Sequence, residues 1–146
     1  MNIDTKSRAK ITVKITAKLH FSAGLALLAS TFFFSQHAAA GLVDLKWNEQ
    51  GQFQHSAEIK AGGFLEVCGK LPAGLKIDWQ YKSQQALDFN IHYHEGKKLS
   101  VPVKHQAKQT VAEQFEVKVA QDYCWMWSNK SKEATTVDLS LHRVAQ

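Results

Sequence analysis

Apolar and polar residues alternate with a period of two through much of this chain. Leu87, Phe89, Ile91 and Tyr93 alternate with Asp88, Asn90, His92 and His94. Phe115, Val117 and Val119 alternate with Glu116 and Lys118, and Val137, Leu139 and Leu141 with Asp138, Ser140 and His142. Successive side chains of a strand point to opposite faces, so each run predicts a strand with one buried face. Less regular strands are predicted over residues 42–47, 53–59, 64–71, 75–81, 99–105 and 122–128. Glycine- and proline-bearing turn signals separate them at 50–51, 62–63, 72–74 and 95–96, and a polar run does so at 128–132. No segment shows the 3.6-residue period of an amphipathic helix. Eight or nine short strands at this spacing predict an all-β fold, an antiparallel β-sandwich of the jelly-roll-like kind. A closed barrel is the alternative. Pro102 cannot donate to a ladder, so its strand is expected at an edge or a bulge.

The first 40 residues follow a different pattern. Lys6, Arg8, Lys10, Lys14 and Lys18 outweigh Asp4, an apolar run follows over 21–34, and Ala38 and Ala40 fill the small-residue positions of a cleavage site. This is the layout of a secretory signal peptide over residues 1–40, with cleavage expected before Gly41. A membrane anchor is the alternative, but the run is shorter than the ~20 residues that span a bilayer. Residues 41–146 are then a single exported domain, periplasmic or secreted, long enough for one core.

Removing the leader changes the charge picture. The whole chain has 18 Lys plus Arg against 13 Asp plus Glu. Residues 1–40 hold 5 and 1 of these, so residues 41–146 carry 13 and 12, a net +1. A nucleic-acid-binding surface would need a concentrated basic face, and none is visible.

Cys68 and Cys124 both lie in the exported part. An even count in an oxidising compartment argues for a disulfide. Two buried free thiols are the alternative.

Three clusters could carry chemistry. In a strand, His92 and His94 project from one face, ~6.5–7 Å apart from two strand rises. Such a pair could converge on a transition metal, with His105 as the first choice of third ligand and Glu95 or Met126 behind it. Imidazole suits zinc or copper, and a thioether would favour reduced copper. The plainer reading is decoration of a polar sheet face. Trp125, Met126 and Trp127 could form an aromatic binding surface or pack as core around the cysteines. Asn129-Lys130-Ser131 fits a glycosylation acceptor but reads first as a turn. No nucleophile elbow, His-Glu-x-x-His helix or phosphate loop is present, so an enzyme is not expected.

The segment Tyr123-Cys124-Trp125-Met126-Trp127-Ser128-Asn129-Lys130-Ser131 and the alternating strand after it resemble the closing hairpin of GOLD (Golgi dynamics) domains. Leu65-Glu66-Val67-Cys68 and Leu87-Asp88-Phe89-Asn90-Ile91 look like the family's first cysteine-bearing strand and its central strand. The resemblance covers about residues 56–144. It implies a β-sandwich used for protein or ligand interaction, and a disulfide like that of the family's transmembrane cargo receptors. The chain departs from those receptors after its last strand, where their coiled coil and membrane span would follow. A secreted or periplasmic single-domain relative is therefore expected.

Two functions follow as expectations. The first is an exported, non-enzymatic interaction module with an envelope or secreted protein as partner. The second is a periplasmic copper- or zinc-binding protein centred on His92 and His94.

Overall fold

The computed structural model describes residues 40–144; the leader expected over 1–40 lies almost wholly outside them. Seven strands form the domain: β1 (Ala40–Asp44), β2 (Gln52–Ile59), β3 (Phe64–Leu71), β4 (Lys76–Glu95), β5 (Lys98–Glu116), β6 (Gln121–Ser128) and β7 (Thr135–Arg143). The all-β expectation holds, with no helix among the described residues. Two pairs of expected strands have fused, however. Residues 76–81 of the one and 87–93 of the other belong to one 20-residue strand, β4, and residues 99–105 and the start of the 115–119 run to one 19-residue strand, β5.

This long β4–β5 hairpin organises the molecule. The N-terminal half of β4 pairs with β7, which pairs with β2; its C-terminal half pairs with β6, which pairs with β3. β5 runs along the other edge of β4, with register shifts between Lys82 and Leu87 and beyond. Two layers result. One contains β1, β3, β6 and the outer half of the hairpin, and the other contains β2, β7 and its inner half. β1 joins β3 in parallel, the one departure from the antiparallel expectation among the described strands.

The hairpin folds on itself at residues 83–87. Trp79 and Phe89 are ten residues apart, ~33 Å in a straight strand, yet their ring centroids lie 4.6 Å apart. No glycine or proline marks this corner, so nothing in composition announces it. Polar side chains hold it instead. Ser83 Oγ donates to the Gln85 carbonyl at 2.6 Å, Gln85 N donates to Thr135 Oγ1 at 3.0 Å, and Ala107 N donates to Asp88 Oδ1 at 3.0 Å. Ala107 supplies the matching bend in β5 with a φ of 51°, the left-handed region that costs a non-glycine residue energy.

Between the layers lies an aromatic core. Tyr81 meets Trp127 edge-on at 5.7 Å, and Phe115 meets Trp125 at 5.9 Å. Leu87, Phe89 and Ile91 are buried, as their alternation predicts, and so are Val137, Leu139 and Leu141. The expected closing hairpin is different. β6 and β7 belong to one seven-stranded sheet but pair with different halves of β4 and not with each other, so the segment between them is an arch. Asn129 pins that arch: its buried amide nitrogen donates to the carbonyls of Ile59, Lys60 and Glu133, and its oxygen accepts from Ser131 N. This is the turn reading of Asn129-Lys130-Ser131, with the amide engaged and 1% exposed.

Candidate functional site

The outer face of the β1-β3-β6-β4 layer brings the notable polar residues together. Residues two apart in a strand share a face, so register assigns the rows. One row crosses five strands as Leu42, Glu66, Met126, Asn90 and Lys104. The next crosses four as Asp44, Cys68, Cys124 and His92. His94 opposite Leu99 begins a third. Between them is an open concavity of about 340 Å³, lined by Glu66, His92, His94, Leu99, Val101 and Met126 among others.

Cys68 and Cys124 form a disulfide between register partners, with Cα atoms 4.1 Å apart. That separation belongs to the closely spaced, non-hydrogen-bonded kind of antiparallel pair. Glu66, two residues before Cys68, shares its face, and one donor atom from each of Glu66, Cys68 and Cys124 lies within 4.8 Å of the others.

His92 is only 6% exposed although it lies on an outer face. The Asn90 Oδ1 lies 2.7 Å from its Nδ1, which assigns the proton to that nitrogen. Its Nε2 is left with a lone pair, 3.8 Å from Glu66 Oε1. Burial holds the His92 imidazole below its ordinary range; the Glu66 carboxylate opposes that shift and His94 adds to it.

His92 and His94 are therefore side by side, with ring centroids 5.5 Å apart in an edge-on arrangement. His105 is not with them. It lies on the other face of the sheet, packed near Trp79 and Phe89 at 6.3 and 6.1 Å, because register places it opposite the inward Phe89. Its Nε2 is 3.1 Å from Glu113 Oε1, close but off the direction a hydrogen bond needs. Glu95 points away from the concavity and sits 4.0 Å from Lys98. Met126 does line it. The triad with His105 is thus corrected by strand parity.

The aromatic surface is corrected likewise. Trp125 and Trp127 are fully buried, because they alternate with the outward Cys124, Met126 and Ser128. They are core, and only Met126 of that trio faces outward. Glu66 and Asn90 were legible in principle, since each shares parity with a residue already singled out. Leu42, Leu99 and Val101 were not: they are 71%, 54% and 43% exposed, and an apolar residue in a strand reads as inward.

A larger open groove of about 580 Å³ crosses the outer face of the other layer. Gln54, Ser56, Gln80, Lys82, Thr110 and Asp138 line it, with Ser56 Oγ donating to Asp138 Oδ1 at 2.6 Å. It holds no exposed large apolar residue, and its buried Tyr81 belongs to the core beneath it, so the smaller concavity is the stronger candidate.

No family model and no curated protein matches the sequence. Solved structures do match the fold. The chain is similar to PliG of Aeromonas hydrophila, a periplasmic inhibitor of g-type lysozyme, with a TM-score of 0.56 at 10% identity over 72% of this chain and 97% of that one. PliG of Salmonella Typhimurium gives 0.54 at 10% identity over 71% and 98%. The Yersinia pseudotuberculosis-derived mitogen gives 0.51 at 11% over 65% and 87%. At such identity the likeness is one of fold.

Proposed function

We infer that this chain is an exported, non-enzymatic protein-binding module whose partner is a lysozyme, engaged through the concave outer face of the first layer. The observation that carries the reading is the pairing on that face of Leu99 and Val101, exposed apolar residues beside a partly polar floor. An apolar patch ringed by Glu66, Lys104 and His94 has the make-up of a protein interface. Three further points support it. The fold extends over nearly the whole of two periplasmic lysozyme inhibitors. The sequence opens on an export-type leader. The cross-strand disulfide suits an oxidising compartment. A GOLD-type relationship, proposed from the 123–131 segment, implies the same class of work.

Inhibition assays test the reading. Purified protein should slow hydrolysis of bacterial cell walls by g-type lysozyme or by a lysozyme of another type, and should form a complex with it on size-exclusion chromatography. Absence of both effects across the lysozyme types would refute the lysozyme assignment.

A further inference from the structure

Opening the disulfide would expose a second capacity of the same face. We propose that the dithiol form of this protein holds one transition-metal ion, zinc or cuprous copper, through Cys68, Cys124 and His92, with Glu66 as fourth donor. The inference stands on geometry and does not depend on the lysozyme reading.

Four observations converge on it. Cys68 and Cys124 are register partners inside an eight-pair β3–β6 ladder, so the backbone holds them together whether or not the sulfurs are bonded. Two thiolates bound to one tetrahedral metal at about 2.3 Å stand ~3.8 Å from each other, within reach of side chains whose Cα atoms are 4.1 Å apart. Glu66 brings a carboxylate into the same cluster, one of its donor atoms and the two sulfurs lying within 4.8 Å of one another. His92 lies opposite Cys124 on the next strand, with its Nε2 close to that carboxylate. The fourth observation concerns orientation: the bond from Nδ1–H to Asn90 fixes the tautomer that leaves Nε2 available, the outer-shell arrangement that ligating histidines use. Both cysteines are partly exposed, so an ion could reach them from solvent.

The donor set selects the metal class. Two thiolates and an imidazole suit zinc or cuprous copper, whereas magnesium and calcium prefer all-oxygen sites. Disulfide and metal exclude one another, because the sulfur lone pairs that bind metal belong to thiolates. Passage between the states is balanced by a dithiol reductant. Its two electrons and two protons convert the Cys68–Cys124 bond to two thiols while it closes to its own disulfide, and metal entry then releases the two thiol protons.

Cobalt(II), a spectroscopic substitute for zinc, is the probe. The whole protein is reduced with a phosphine under anaerobic conditions, and near-ultraviolet circular dichroism follows its buried tryptophans. Folded, reduced protein should take up one equivalent of cobalt(II), with a thiolate-to-metal charge-transfer band and tetrahedral d–d bands, and zinc should displace it. Oxidised protein and the Cys68→Ser/Cys124→Ser variant should show neither band. His92→Gln and Glu66→Gln, which preserve shape, should each weaken zinc binding on the order of 10-fold or more, while His142→Ala on the other layer should leave it unchanged. Loss of the tryptophan signal on reduction, absence of the charge-transfer band, or wild-type affinity in both glutamine variants would each overturn the proposal.

Discussion

His92 shows how one residue can sit on an outer face and yet behave as buried. Its depressed pKa means the unfolded chain binds a proton that the folded one resists. The contribution to stability is therefore fully present above the ordinary histidine pKa of ~6.5 and is lost as pH falls from there towards the lower folded value. Denaturant titrations at pH 7.5 and pH 5 should show wild type weakening on acidification, and His92→Gln should reduce that loss. An unchanged pH dependence in the variant would mean that another group is responsible. Trp125 marks the opposite case. It is fully buried against Phe115, so Trp125→Ala should cost about 3–5 kcal/mol in the same titration at neutral pH. A loss below 1 kcal/mol would contradict its place in the core. At this scale the sequence was a good guide wherever alternation was strict. It gave the faces of residues 87–94 and placed His92 beside His94. It could not show that His92 is shielded, because its neighbours Glu66 and Cys124 come from other strands.

Among the elements, strand number departs from the expectation where turn chemistry and bending part company. Residues 83–87 carry no glycine or proline, yet β4 bends there; residues 95–96 carry Glu95-Gly96 and form the turn their composition announces. The corner is encoded in long-range polar partners instead, and those become visible only when strands are assembled. Asp88 is one such partner, accepting from Ala107 N and pairing with Lys130. Its carboxyl is held below the usual range chiefly by Lys130, with burial opposing and the Ala107 bond assisting. Asp88 therefore stabilises the fold above its ordinary pKa near ~4, and that support disappears as pH falls through the folded value. Asp88→Ala should lower stability by about 1–3 kcal/mol at neutral pH, read from urea midpoints, and by less under acid conditions. β1 offers a second test. A Cβ on Gly69 would approach Leu45 Cβ to 2.8 Å, so Gly69→Ala should displace the segment after β1 and cost about 1–3 kcal/mol. Full stability in that variant would show that the contact yields freely. Pro102 fits its expected role, lying on β5, which pairs with β4 alone among the described strands.

At the scale of the whole molecule, a bent hairpin ties two layers together and a disulfide fastens β3 to β6 beneath a face that no other described element covers. The bridge closes a 56-residue separation, worth about 4 kcal/mol in the chain-entropy picture. Reduction should lower the urea midpoint accordingly without abolishing the fold, since the aromatic core is independent of the sulfurs. Partner binding depends on the face above that bridge, where Leu99 and Val101 are exposed beside His92, His94 and Met126. Charge placed there should abolish partner binding while leaving the core intact. The decisive measurement is calorimetric titration of lysozymes with the wild-type protein, with Leu99→Glu/Val101→Glu, and with Gln54→Glu/Gln80→Glu on the opposite layer. The account predicts a saturable complex for wild type and for the opposite-layer variant, with at least a ~100-fold loss, about 2.7 kcal/mol, for the Leu99/Val101 variant. Equal affinity in all three proteins would contradict it, and so would binding lost only in the opposite-layer variant.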